Sequence, residues 1–178
     1  MIRRGLLWIA CAVVVWIAQG TLASLFPRAL VPDLTLVATV AVAVTARPLA
    51  GLFFAAGIGF GADVLSGALL GQHALMRLVV FGAARLLGAQ FDLRQSVPLA
   101  IFVGVLSCVD AFGLWALGRL FQEGSIFGLE GVLIVLARAL WAALLAPGTS
   151  RLFGALQERV EEGDTRREVR LEPRRPVF

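Results

Sequence analysis

The chain has 178 residues, of which 59% are hydrophobic and 16% are charged, and its mean hydropathy is +0.87. A soluble domain carries about 25% charged residues, so this composition excludes an ordinary soluble domain and indicates an integral membrane protein. The formal net charge is +4, but the arginines are dispersed along apolar segments, which argues against a nucleic-acid-binding surface.

Six apolar runs approach the ~17–25 residues that a transmembrane helix requires. In chain order the predicted spans are 5–26, 29–46, 49–65, 74–91, 97–121 and 126–146. The first run is longer than the core of a signal peptide, which favours an uncleaved anchor over a cleaved signal. The second is short unless it extends back through Pro32, at the cost of a kink. Pro147 and Gly148 are expected to end the sixth.

The placement of arginine predicts the orientation of the chain. If the N-terminus is cytoplasmic, only Arg28 lies in an outer loop, as the positive-inside rule requires. The cytoplasmic side then receives Arg3, Arg4, Arg47, Arg94 and Arg151. We therefore expect both termini to be cytoplasmic.

The charge density rises sharply at the C-terminal end. Residues 1–150 contain 9 Arg and 6 acidic residues, whereas the much shorter segment 151–178 contains 7 Arg and 6 acidic residues. We expect a six-helix transmembrane domain over residues 1–156 and a charged cytoplasmic tail over residues 157–178. Residues 157–162 are able to continue the last helix, and disorder is expected beyond Gly163.

Small residues recur every four positions along the third span. One row contains Gly51, Ala55 and Gly59 and continues to Asp63, Gly67 and Gly71; a second row contains Gly57 and Gly61. This spacing places each row on one helix face, and a small-residue face lets helices approach closely in lipid. The rows predict tight packing against a helix of the same chain, which we favour, or against another subunit.

Four charged residues are candidates for ion pairs within the membrane. A carboxylate in hydrocarbon costs ~2.5–3.5 kcal/mol, so Asp63 needs a partner, and His73 and Arg77 lie on the first turns of the next span. We expect Asp63 to cap the turn at Ser66 and Gly67 and to pair with Arg77, with a ligand or partner site as the alternative. Asp110 and Arg138 lie near mid-span in consecutive antiparallel helices and are predicted to pair.

The sequence offers little support for catalysis or for a bound cofactor. The chain has one His and no Lys, and it contains no cluster of metal ligands, no phosphate-binding loop and no nucleophile motif. Intramembrane charges mark ion or substrate pathways by default, but the near balance of signs here favours structural pairing. We expect no catalytic, metal or cofactor site.

An ordered set of motifs over residues 32–92, about a third of the chain, resembles the rod shape-determining protein MreD family. The set comprises Pro32-Asp33-Leu34, the turn at Arg47-Pro48, the glycine-rich stretch Gly57 to Gly67 that ends in Asp63-x-x-Ser66-Gly67, and Leu70-Gly71-x-x-Ala74-Leu75. In that family the motif positions are characteristic and are not catalytic.

The resemblance implies a non-enzymatic subunit of the elongasome in the bacterial cytoplasmic (inner) membrane. The implied partners are an MreC-like bitopic protein, a RodA-like polymerase, a penicillin-binding transpeptidase and an MreB-like filament. The single helix of the MreC-like protein would pack on the small-residue face of the third span. The implied fold is a six-helix bundle similar to the substrate-binding subunits of energy-coupling-factor transporters.

That fold leaves a second function open, the binding of a vitamin-like small molecule for an energy-coupling-factor transporter. Such a subunit needs a polar pocket among its helices. Asp63, His73, Arg77 and Asp110 are the residues that would line it.

Overall fold

The described part of the chain folds into six α-helices. They are α1 (Ile2–Leu25), α2 (Leu34–Thr45), α3 (Pro48–Ser66), α4 (Gln72–Leu87), α5 (Ser96–Phe121) and α6 (Leu129–Leu171). The computed structural model describes residues 2–27, 30–67, 70–88, 90–91, 93, 95–121 and 128–171, and those residues contain no β-strand. The predicted all-α class is therefore confirmed.

Among the described residues, four helices are long and apolar enough to cross a membrane. The stretches are Leu6–Leu25 in α1, Pro48–Ser66 in α3, Ser96–Leu120 in α5 and Leu129–Arg159 in α6. These lengths support a membrane protein. The predicted starts of the second and sixth spans, at residues 29 and 126, lie outside the described residues.

Helix α2 is shorter than the predicted second span. It has 12 residues, or about 18 Å, against a hydrocarbon core of about 30 Å. The helix begins at Leu34 because the carboxylate of Asp33 accepts a hydrogen bond from the backbone N–H of Leu36 and caps its first turn. Helix α4, with 16 residues, is about 24 Å long.

Helix α2 is the centre of the bundle. Its residues from Thr35 to Ala43 are all buried, as expected of a helix that is apolar on every side and enclosed by protein. One core cluster joins α2 to α4, α5 and α6, and the second joins α2 to α1, α3 and α6. Helices α3 and α4 pack against each other, as do α5 and α6.

The first row of small residues on α3 packs inside the chain. A Cβ atom at Gly59 would lie 2.6 Å from Ala74 Cα and 2.7 Å from the carbonyl oxygen of His73, and one at Gly51 would lie 2.6 Å from Phe81 Cε2. The row therefore allows α4 to approach α3, and it is not available to the helix of a partner. In the second row, Gly61 packs against Trp16 of α1, whereas Gly57 faces open space.

Helix α6 does not end at Pro147, so that prediction is wrong. A proline removes one helical hydrogen bond, here the one that the carbonyl oxygen of Ala143 would accept, and membrane helices tolerate such a loss. In the turn around Pro147 the hydroxyl of Thr149 donates to the carbonyl oxygens of Leu145 and Ala146, and that of Ser150 donates to the carbonyl oxygen of Pro147.

The helix then continues to Leu171, so the expected disorder after residue 163 is also wrong as far as residue 171. Residues 172–178 lie outside the described residues. Within the continued helix, Phe153 stacks on Trp8 of α1 and contacts Phe54 of α3. The N-terminal end of α1 and the C-terminal half of α6 therefore lie at the same end of the bundle.

We predict that Gly59→Ala destabilises the protein, because the added methyl group meets the backbone of α4 rather than a movable side chain. Overpacking of this kind costs about 1–3 kcal/mol. Thermal unfolding in detergent micelles measures the effect. Gly57→Ala is the matched control and should be neutral or slightly stabilising, because alanine has the higher helix propensity. Equal melting temperatures for the two variants would contradict the predicted packing.

Candidate functional site

The most extensive polar site is centred on Arg77 of α4, whose side chain is fully buried. Its Nη1 donates to Asp110 Oδ1 of α5 at 2.7 Å, and its Nη2 donates to Asp33 Oδ2 at 2.6 Å. Its Nε donates to the hydroxyl of Thr35 on α2 at 3.1 Å. All three nitrogens of the guanidinium are therefore bonded to protein, and the contacts join α2, α4 and α5.

The local sequence around α2 explains how Asp33 serves two purposes. As the N-cap residue it uses Oδ1 to accept hydrogen bonds from Leu36 N at 3.0 Å and from the Thr35 hydroxyl at 2.7 Å. Oδ2 is left to bind Arg77. The Gln19 side chain of α1 accepts from Leu34 N at 2.8 Å, so two of the N–H groups that a helix start leaves without partners, those of Leu34 and Leu36, are bonded to side chains.

Arg138 of α6 lies beside this cluster. Its Nε donates to the carbonyl oxygen of Val31 at 3.2 Å, and its Nη2 lies 4.0 Å from Asp33 Oδ2. Val31 and Pro32 are buried and precede α2 without helical structure. Non-helical backbone at membrane depth requires partners within the protein, and Arg138 provides one.

A second polar site joins α3 to α4 through Asp63, whose side chain is fully buried. Oδ1 accepts from His73 N at 2.8 Å and also contacts His73 Nδ1 at 2.8 Å. Oδ2 accepts from Gly71 N at 2.9 Å and from Ala74 N at 3.2 Å. Because an ionised carboxylate can only accept, Nδ1 of His73 carries the proton. Asp63 thus caps the first turn of α4.

The turn between α3 and α4 depends on two glycines. Gly67 has φ of 65° and Gly71 has φ of 96°, in the left-handed region that side chains disfavour. The Ser66 hydroxyl donates to the carbonyl oxygen of Asp63 at 3.3 Å. The residues Asp63, Ser66, Gly67 and Gly71 therefore form one structural unit that closes the α3–α4 hairpin.

The predicted pairings are wrong, although Arg77, Asp110 and Arg138 all take part in ion pairs. Asp110 pairs with Arg77, and Arg138 with Asp33; among the described residues no ion pair joins Asp110 to Arg138. Asp63 pairs with His73 rather than with Arg77. The physical reason is the position of α2, which brings Asp33 next to α4. Arg77 therefore binds the carboxylates of Asp33 and Asp110 rather than that of Asp63.

Sequence reasoning missed two residues. Asp33 was assigned only to a motif, although an aspartate at the start of an apolar run is a recognisable N-cap signal. Arg85 is not among the residues predicted to form ion pairs; its Nη1 donates to the carbonyl oxygens of Ala43 at 2.8 Å and Ala46 at 2.9 Å. Arg85 therefore caps the C-terminal end of α2, and nothing in the local sequence indicates that contact.

The polar groups of the interior satisfy one another. In the part of the chain that the structure describes, Gln157 Oε1 is the only buried side-chain polar atom without a hydrogen-bond partner. In the same part, no three His, Cys, Asp or Glu residues come together in an arrangement that could hold a metal ion. This arrangement can tie helices together at fixed positions and leaves few internal groups to bind another molecule.

Comparisons of the chain with protein-family models, with curated proteins and with solved structures give no match.

We predict that Arg77→Gln severely destabilises the protein, because it leaves Asp33 and Asp110 buried without the cation between them. Loss of one member of a buried ion pair costs about 3–5 kcal/mol. The yield of monodisperse protein in detergent and its melting temperature measure the effect. Arg47→Gln, at an exposed position before α3, is the control. A variant as stable as this control would show that the Arg77 cluster does not hold the helices together.

We predict that Asp63→Asn loosens the α3–α4 turn. An amide offers one acceptor oxygen and turns an N–H₂ group toward backbone donors, so at least one N–H loses its acceptor, at a cost of about 1–3 kcal/mol. Hydrogen exchange at Gly71, His73 and Ala74 should accelerate. His73→Gln, which leaves the three backbone contacts of Asp63 in place, should accelerate exchange less. Faster exchange in His73→Gln than in Asp63→Asn would show that the histidine side chain, rather than the carboxylate, stabilises the turn.

Proposed function

We propose that the chain is a non-enzymatic membrane subunit of the bacterial elongasome. It helps to maintain rod shape by coupling an MreC-like periplasmic scaffold and the peptidoglycan synthases to MreB-like filaments. Those synthases are a RodA-like polymerase and a penicillin-binding transpeptidase. The proposed location is the cytoplasmic membrane, with both termini on the cytoplasmic side.

The observation that carries the proposal is the structural role of the residues on which the resemblance rests. Pro32 and Asp33 form the start of α2 in the Arg77 cluster. Asp63, Gly67 and Gly71 build the α3–α4 turn. A protein that serves as a scaffold needs such motif residues to fix the positions of its helices, and it needs no reactive side chain.

The bonding of the interior disfavours the second candidate, a vitamin-like ligand site. Such a site would use Asp63, His73, Arg77 and Asp110. The side chains of Asp63, Arg77 and Asp110 are at most 4% exposed, and their charged groups already bind one another or the backbone. A ligand would have to replace contacts that hold α2, α4 and α5 together.

The shape of the chain supports recognition mainly within the bilayer. Only Ala46 and Arg47 connect α2 to α3, and residues 67–71 connect α3 to α4. Helix α6 is the exception, because its 43 residues extend for about 65 Å, about twice the hydrocarbon thickness. In the proposed orientation its C-terminal part reaches into the cytoplasm, where the filament lies.

Affinity purification of the full chain from its native membrane in mild detergent, followed by mass spectrometry, tests the proposal. We expect recovery of an MreC-like bitopic protein together with cell-wall synthases. A variant truncated after Leu156 should retain that protein and lose the filament. Recovery of an ATPase pair with a membrane coupling subunit, or of a stoichiometric vitamin, would overturn the proposal in favour of uptake.

A further inference from the structure

Arg138 is a charged residue of the membrane interior that the described residues only partly satisfy. It lies nine residues after Leu129, the start of the apolar stretch of α6, or about 14 Å along the helix. Its side chain is 39% exposed. By contrast, Arg77 at a similar depth is fully enclosed and uses all three of its nitrogens.

The bonding of Arg138 leaves the outer part of its guanidinium open. Its one hydrogen bond to a described residue runs from Nε to Val31, and its closest acidic atom, Asp33 Oδ2, lies 4.0 Å from Nη2. Asp33 Oδ2 already binds Arg77 at 2.6 Å. Among the described residues, therefore, Nη1 has no hydrogen-bond acceptor and Nη2 has only the distant carboxylate of Asp33, although an unmet charge is costly within a membrane.

The charges of the cluster indicate what kind of acceptor fits there. Arg77 and Arg138 together balance Asp33 and Asp110, so the four groups are already neutral as a set. A further carboxylate or phosphate would leave the set with a net negative charge in a poorly solvated place. An uncharged acceptor, the amide of Asn or Gln or the hydroxyl of Ser or Thr, satisfies the donors without that penalty.

The surroundings of Arg138 indicate what carries that acceptor. The exposed positions that follow Arg138 on the same side of α6 are apolar; Trp141, about one turn further along, and Leu145, two turns further along, are 41% and 37% exposed. A lipid phosphate would have to leave the headgroup layer to reach this depth, whereas a residue in the middle of a transmembrane helix is already there. Hydrogen bonds of this type join helices in membranes.

We propose that the face of α6 around Arg138 binds a transmembrane helix of another protein, which presents an uncharged polar side chain to the arginine. We rest on the proposed function only for the expectation that a partner lies within the membrane. The identity of the partner does not enter the choice of site.

Gly131 provides a way to examine this face without disturbing the cluster. It lies two turns before Arg138 on the same side of α6, and a Cβ atom there would have nothing within 4 Å. Gly57 of α3 is equally open and lies on another helix, so it serves as the matched control position for both the crosslinker and the bulky substitution.

The test places a photo-crosslinking amino acid at position 131 of the full chain in native membranes. We expect crosslinks to a transmembrane segment that carries Asn, Gln, Ser or Thr within about two turns of the linked residue, the separation between Gly131 and Arg138. Their yield should exceed that from position 57 and fall about three- to tenfold in Arg138→Lys, which keeps the charge but loses the planar fork. Gly131→Phe should reduce recovery of the same protein, whereas Gly57→Phe should not.

Arg138→Lys is compared only if its melting temperature matches that of the wild type; otherwise Gly131→Phe decides, because it leaves every contact of Arg138 in place. Adducts with lipid alone from position 131, or a yield unaffected by these substitutions, would overturn the assignment of this face. A crosslinked protein that is not MreC-like would support the α6 site and count against the proposed function. Recovery of an MreC-like protein without crosslinks from position 131 would support the proposed function and count against the α6 site.

Discussion

The structure depends on which groups bind the backbone N–H and C=O groups at the two ends of α2. A helix of 12 residues is too short to reach both surfaces of a bilayer, yet its terminal N–H and C=O groups cannot remain without partners in hydrocarbon. Side chains of other helices meet this requirement, since Gln19 binds Leu34 N and Arg85 binds the carbonyl oxygens of Ala43 and Ala46. Asp33 completes the N-terminal cap, and its charge in turn requires Arg77.

Helix α4 carries the contacts that follow from this requirement. Asp63 fixes its first turn to α3, Arg77 joins its middle to α2 and α5, and Arg85 binds the end of α2. A buried ion pair adds little net stability compared with apolar packing, but removing one member is costly, and a fully bonded network specifies one arrangement of the helices. The charged residues of this membrane protein therefore determine the register of its helices.

Because the polar side chains of the interior bind one another, we expect the functional sites to lie on the surface of the helix bundle. The side chains that a small-molecule pocket would need bind one another, and the small-residue row of α3 is occupied by α4. Among the charged residues of the polar cluster, Arg138 differs because its side chain is 39% exposed and makes one hydrogen bond to a described residue. Scaffolding within the bilayer, with α6 as the contact helix, is consistent with both features.

The sequence by itself determined the membrane class, the presence of six helices and the need of Asp63 for a partner, because composition, hydropathy and the cost of a charge in lipid are local properties. It did not determine that α2 is enclosed, since an apolar run reads the same whether lipid or protein surrounds it. Nor did it determine that α6 passes Pro147, because the packing of Phe153 against Trp8 and Phe54 beyond the proline is a tertiary contact. The pairing of Arg77 with Asp33 and Asp110 was decided by tertiary structure alone, because electrostatic partners are selected by distance in space, and only the placement of α2 beside α4 sets those distances.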